Sequence, residues 1–450
     1  MPVLQTGLAK SAAADYTIDQ SLRFEDGDSA YLSRTAGSSA TSSTAWTYSG
    51  WIKLANTVAG YVLFMGGPDV NDNSTVKTSG SIIMLENHTD PTTSTFKIKT
   101  NQVFRDYSAW YHIFVAYDST QSVEADRIKL YVNGERVTSF SEAAYPSLNA
   151  TEPYINVNAK NQMLSKYGSN TTGYYDGYMA EVHVIDGTAS FDDFGELDST
   201  TNQWKPIEYG GSYGNNGFYL KFQDSAALGD DSSGNTNDFS VTNLVATDQV
   251  LDSPTNNWCT LNPLFVGTYS GTDRTMSEGN LKVNDGSSNY FIGLGTQATP
   301  TTGKWYYEVA VTELSGTHSH SGSGWFEIGY YADTSDGPPN TAYGYQYSTD
   351  GQKVTDSTAS SFGDAWAVDD VIGFALDLDN GFIYAAKNNT WQDSGDPTSG
   401  ATGTGAMYGS LSGNFSPFGY DGYSSADLTE VYNFGQDSSF AGNLTAQGNQ

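Results

Sequence analysis

The sequence predicts an all-β protein built as two antiparallel β-sandwich, jelly-roll domains joined by an ordered connector. Three observations carry this. Long amphipathic 3.6-residue periodicity is nearly absent, whereas short alternating runs of apolar and polar residues recur between Gly, Asn, Asp and Ser clusters. Only 16% of residues are charged and 14% are aromatic, with 48 Gly and 31 Tyr, which describes an ordered chain rather than a disordered one. At 450 residues the chain exceeds what one core organises.

Residues 1–20 form an N-terminal arm. The first sandwich occupies 21–190, with strands in WTYSGWIKL (46–54), SIIML (81–85), FKIKT (96–100), YHIFVAY (111–117) and RIKLYVNGERV (127–137). Asn133-Gly134 suits the two positive φ angles of a type I′ hairpin turn. The connector, 191–260, alternates polar clusters with one clear strand, FYLKF (218–222), which is expected to join the first sandwich. The second sandwich spans 261–440 and includes KWYYEVAV (304–311), WFEIGYY (325–331) and VIGFALDLD (371–379); 441–450 is a tail.

VIGFALDLD places Ile372, Phe374, Leu376 and Leu378 on one face and Gly373, Ala375, Asp377 and Asp379 on the other. A two-residue turn at Asn380-Gly381 would set Asp379 opposite Phe382, Leu378 opposite Ile383 and Asp377 opposite Tyr384. Asp369 and Asp370 precede the strand where short acids cap turns. The four carboxylates read as architecture. A glycosidase needs two acids about 5–10 Å apart across a cleft, with one raised in pKa; no third supporting acid or cleft signature accompanies these. No Ser-His-Asp set, phosphate-binding Gly loop, zinc spacing or nucleotide fingerprint can be assembled, so the chain is expected not to be an enzyme.

Acidic residues outnumber basic ones 51 to 20, a formal charge of −31 that opposes nucleic acid and anionic membranes as partners. No run approaches 18 apolar residues, so no membrane insertion is expected, and the N-terminal residues lack the features of a secretory signal. Cys259 is the one cysteine and cannot pair within the chain.

Sugars need aromatic faces beside Asp or Asn, because C–H faces stack on rings while hydroxyls bond polar groups. Three such groups lie in Gly-rich stretches with expected exposure of their rings: Tyr174, Tyr175 and Asp176; Trp391 and Asp393; Tyr420, Asp421 and Tyr423. His318 and His320 are weak metal candidates, able to surround an axial ion in a threefold assembly. Tyr343, Tyr345 and Tyr347 alternate and are expected to pack into the core. The Asn-x-Ser/Thr triplets at Asn73 and Asn170 read as chance in a chain rich in those residues.

GKWYYEVAV (303–311), EIGYY (327–331), YGYQYSTDG (343–351), DDVIGFALDLDNGFIYAAKNN (369–389) and EVYNFG (430–435) resemble SPRY domains in order and spacing. That family's fold is a bent antiparallel sandwich that binds partners through loops at one end and is not usually enzymatic. SLRFEDGDSAYL (21–32), WTYSGWIKL, WYHIFVAYD (110–118), IKLYVNGERV (128–137) and YYDGYMAEVHVID (174–186) resemble a laminin-G or concanavalin-A-like jelly roll. Members bind glycans or proteins, some with calcium at the rim, though no calcium ligand here can be matched by position. The jelly roll with the connector that follows it resembles structural and appendage proteins of tailed, notably marine, bacteriophages. The resemblance implies a non-enzymatic virion protein, a tail-fibre or capsid-fibre component on the particle exterior, made in the host cytoplasm and released by lysis. Its expected partners are other virion proteins, further copies of itself with a trimer as the default, and host-surface glycans. Two alternatives stand beside this reading, a polysaccharide depolymerase and a cell-surface or secreted adhesin.

Overall fold

Alternation of apolar side chains decides which way each strand faces. In Trp110–Asp118, Ile113, Val115 and Tyr117 enter one core while Trp110 and Phe114 join other clusters on the opposite face. The computed structural model describes residues 16–56, 61–90, 93–169, 172–265, 274–284, 291–315, 326–332, 344–355, 358–421 and 428–444, with 291–292, 326–332 and 420–421 described by backbone alone. Among the described residues the regular structure is antiparallel strand, with a few 3-10 turns and no α-helix. No helix among the described residues is long and apolar enough to cross a membrane. The chain divides into two compact units, one ending at Asn257 and the other beginning at Trp258.

The first unit has two eight-stranded sheets. One runs Glu135–Arg136, Ile128–Val132, Trp110–Asp118, Ala45–Leu54, Gly177–Ile185, Ser21–Phe24, Gln249–Val250, with Phe218–Leu220 also paired to Gly177–Ile185. The other runs Phe140–Ala144, Ser94–Thr100, Ile82–His88, Asn73–Ser79, Val62–Gly66, Asn161–Leu164, Tyr31–Thr35, Ser240–Thr242. Leu22, Phe24, Tyr48, Phe64, Leu85 and Val115 are among the fully enclosed side chains of their shared core. Trp46 stacks on Tyr117 there, centroids 5.7 Å apart and planes within 4°.

The segment after residue 190 is built into this sandwich in two ways. It contributes three strands, Phe218–Leu220, Ser240–Thr242 and Gln249–Val250. It also covers the outer face of the first sheet with aromatic side chains. Tyr131, Phe191, Trp204, His112 and Trp51 form a column of ring contacts that leaves the sheet at Tyr131, passes through two connector residues and returns to the sheet, with successive centroids 4.3, 5.7, 6.0 and 4.9 Å apart. The FYLKF strand finds its place because Gly177–Ile185 carries a bulge: Ala180 faces Trp51 but His183 faces Ser49, and Glu181 takes the extra position with φ +49°. Beyond the bulge, His183 pairs with Tyr219.

Asn133-Gly134 turns as expected, with φ of +48° and +79° and Val132 facing Glu135. A Cβ at Gly134 would stand 2.2 Å from the Trp204 ring, so this glycine serves both the turn and the aromatic column.

The second unit pairs a seven-stranded sheet, Thr275–Ser277, Lys282–Asn284, Leu428–Asn433, Lys304–Leu314, Val371–Asp377, Phe382–Lys387, Thr390–Trp391, with a six-stranded one, Phe291–Leu294, Phe415–Asp421, Phe326–Ala332, Gly344–Ser348, Gln352–Thr355, Thr358–Ser361. Its core includes Tyr307, Tyr347, Ile372, Phe374, Leu376 and the buried thiol of Cys259. Tyr345 packs against it and Tyr347 is enclosed in it, while Tyr343 lies outside the described residues.

The Asn380-Gly381 hairpin corrects its expected register. The strand stops at Asp377, which faces Phe382, and Leu376 faces Ile383, so four residues form the loop. The cause is local. The Gly381 N–H donates to the Asp377 carbonyl at 2.7 Å, the Asn380 N–H and side chain donate to the Asp377 carboxylate, and Leu378 and Asp379 bond Gly303 instead of the neighbouring strand. The shift is by two residues, so every side chain keeps its face. Burial pushes the Asp377 carboxyl up, but Lys304 Nζ at 2.8 Å and the Asn380 donors outweigh it and hold the group below its ordinary value. Asp370 caps Ala367 N–H at 2.7 Å and pairs with Lys387 at 3.0 Å.

Candidate functional site: an acidic rim

Asp176 meets Glu25 and Asp26 at one end of the first sandwich, with one carboxylate oxygen of each lying within 4.8 Å of the others. Two turns bring them together. Ser21–Phe24 ends in the EDGD turn, closed by the Ser29 N–H donating to the Asp26 carbonyl at 3.1 Å. Asp176 stands immediately before Gly177–Ile185, and the Ala55 N–H donates to its carbonyl at 3.3 Å. Gly177 makes that approach possible: its φ is +136° and a Cβ there would stand 2.2 Å from the Lys53 carbonyl.

Asp176 is buried, whereas Glu25 and Asp26 are half-exposed. The Tyr61 hydroxyl donates to Asp26 at 3.2 Å. Burial first, then the Asp26 and Asp176 carboxylates, push the Tyr61 phenol up, so it remains a donor. Tyr174 packs on Tyr31 with centroids 6.3 Å apart, and Lys166 Nζ sits 4.0 Å from the Tyr31 ring centre.

Three carboxylates are the donor set of a hard divalent cation. Oxygens bonded to one Ca²⁺ at about 2.3–2.6 Å cannot be more than about 5 Å apart, and this trio meets that limit. Among the described residues these three could hold calcium; Asp176 came from the sequence, while Glu25 and Asp26 did not. Their only signal was an acidic turn directly after a strand.

The expected ring exposure is corrected for two tyrosines. Tyr175 is fully buried: its hydroxyl donates to the Lys53 carbonyl at 2.9 Å and its ring meets Phe24 and Tyr61 edge-on, so it belongs to the core and offers no face to a sugar. Tyr174 is 8% exposed. Both tyrosines do lie in a loop, directly before the strand Gly177–Ile185, but the loop is packed into the sandwich, so burial is what removes their exposure. Trp391 is half-buried, edge-on to Tyr306 and Tyr384, and Asp393 is exposed with φ +51°. Tyr420 and Asp421 lie in Phe415–Asp421 by backbone alone; Tyr423, His318, His320 and Asn170 lie outside the described residues. Asn73 is fully buried.

The fold defines an all-β protein of two jelly-roll-like domains. Residues 26–193 match the model of the concanavalin A-like lectin/glucanases superfamily, and residues 304–412 match that of the SPRY domain. The chain therefore carries a concanavalin A-like domain and a SPRY domain. It is similar to the SPRY domain of human HERC1, at 13% identity and TM-score 0.27, covering 36% of this chain and 96% of that one. It is also similar to a putative carbohydrate binding protein from Bacteroides ovatus, at 13% identity and TM-score 0.34, covering 51% of this chain and 61% of that one. The comparison with curated proteins returns no match.

Proposed function

We propose that the chain is a non-enzymatic structural and binding protein of a tailed-phage exterior, in a tail or capsid fibre, whose first sandwich contacts host-surface glycans. The observation that carries the glycan reading is the convergence of Glu25, Asp26 and Asp176 in a concanavalin A-like domain. Calcium there would supply open coordination positions to sugar hydroxyls. The chain's own part is to fix three acceptors at a strand start and in the turn that follows another strand, with the Tyr61 hydroxyl donating to Asp26. The SPRY domain supports a second, protein-directed contact, with other virion proteins or further copies of this chain. The charge of −31 favours a partner that is neither nucleic acid nor anionic lipid.

The test is cryo-imaging of purified particles with an antibody against this chain, together with binding of host-surface polysaccharide by wild type and Glu25→Gln. Labelled fibres and weakened binding in the variant are expected. Particles without label would end the virion assignment. Release of reducing sugar from the polysaccharide would replace binding with depolymerisation.

A further inference from the structure

The outer face of the first sheet is roofed by the connector along most of its width, but the roof stops at Phe191. Beyond it lies an open groove of about 480 Å³, within the range of about 300–1,000 Å³ that small-molecule sites occupy. Its floor is apolar: Phe114 is buried, Tyr131 meets it edge-on at 5.8 Å, and Phe191 stacks on Tyr131. Its edges are polar and held in place from behind. Thr120 and Gln121 donate to the Asp118 carboxylate at 2.6 and 2.5 Å. Arg136 holds Asp126 at 2.7 Å, with Lys129 4.0 Å away, and the Ser190 N–H donates to Asp193 at 2.8 Å.

We infer that this groove is a second glycan site, taking a short oligosaccharide of neutral hexoses; the inference rests on the glycan-binding reading above but on different residues. Each carboxylate retains lone pairs for hydroxyl donors, Lys129 supplies a donor, Thr188 on the opposite wall supplies both, and the ring floor suits sugar C–H faces. Of the three carboxylates on the lining, Asp126 has two cationic neighbours, Asp118 accepts bonds from Thr120 and Gln121 through both oxygens, and Asp193 accepts the Ser190 N–H, so each is already held and its remaining lone pairs suit hydroxyl donors. No residue of the acidic rim lines this groove.

Saturation-transfer NMR and calorimetry on the full chain with cellotriose, maltotriose, laminaritriose and mannotriose, and with pentalysine as the cationic probe, test it. At least one trisaccharide is expected to bind saturably. Thr188→Trp, at an exposed position on the wall, is expected to weaken that binding at least tenfold, and Asp126→Asn several-fold, with unchanged circular dichroism. Glu25→Gln should leave it intact. Binding lost in Glu25→Gln but kept in Thr188→Trp would remove the groove and leave the rim reading standing. Failure of all four sugars to bind would remove the groove and leave the rim reading to its own polysaccharide test, and displacement of the sugar by pentalysine at equal concentration would make the groove a peptide site instead.

Discussion

Trp204 donates its indole N–H to His112 Nδ1 at 3.0 Å while the two rings lie within 21° of parallel. This bond fixes the His112 tautomer: Nδ1 accepts, so Nε2 carries the proton and donates to Ser49 Oγ at 2.8 Å. One connector residue is thereby tied to two strands. Trp204→Ala should remove a link of the aromatic column and expose His112, costing about 2–4 kcal/mol. Urea unfolding followed by tryptophan fluorescence and circular dichroism checks it, and an unchanged midpoint would show that the connector merely rests on the sheet.

His112 also sets a pH dependence. Burial, then the proximity of His183, pushes its imidazole down to about 3. The folded form is therefore neutral where the unfolded chain, with a histidine pKa of about 6.5, takes up a proton. A depressed folded value means that the stability is present above the unfolded pKa and is lost as pH falls from about 6.5 towards 3. The expected loss from this group between pH 7 and pH 5 is about 2 kcal/mol. Comparing urea midpoints of wild type and His112→Asn at both pH values measures it; equal slopes for the two proteins would rule it out.

Lys53 and Asp252 form an ion pair at 2.7 Å in which neither side chain is exposed, and Trp110 Nε1 donates to the second carboxylate oxygen at 2.9 Å. Removing one partner strands a charge away from water. Asp252→Ala is expected to cost about 3–5 kcal/mol, whereas Lys53→Met with Asp252→Leu should recover much of that loss. Thermal denaturation of the single and double variants decides it.

Three carboxylates gathered at the rim repel one another, and a shared cation would offset that repulsion. Glu25→Gln should therefore raise the melting temperature slightly in chelator, by an amount corresponding to roughly 0.5 kcal/mol, and lower it relative to wild type in millimolar calcium. Scanning calorimetry under both conditions reads the change of sign, and a shift that is the same with and without calcium would count against a cation site.

Two Asn-Gly dipeptides show where local sequence stops being sufficient. At Asn133-Gly134 the preference for positive φ acts unopposed and the predicted turn forms. At Asn380-Gly381 the same preference meets the Asp377 carboxylate and the Gly303 backbone, which hold the residues in a wider loop. Alternation still placed Ile372, Phe374 and Leu376 in the core, because a two-residue shift preserves side-chain parity.

The site was legible only in part. Acid beside aromatic in YYDG pointed to sugar chemistry, yet burial is a property of what packs around a ring, so Tyr175 could not be told from an exposed tyrosine by its neighbours in sequence. Alternating apolar patterns, turn residues and composition by themselves fixed the all-β class, the two sandwiches and the strand faces, since these follow from short-range geometry with a period of two. Tertiary structure alone decided that Glu25 and Asp26 stand against Asp176, that the connector roofs one sheet, and that its roof ends at Phe191. Those relationships join residues far apart in the chain, and they exist only once the sheets have set the register that brings them together.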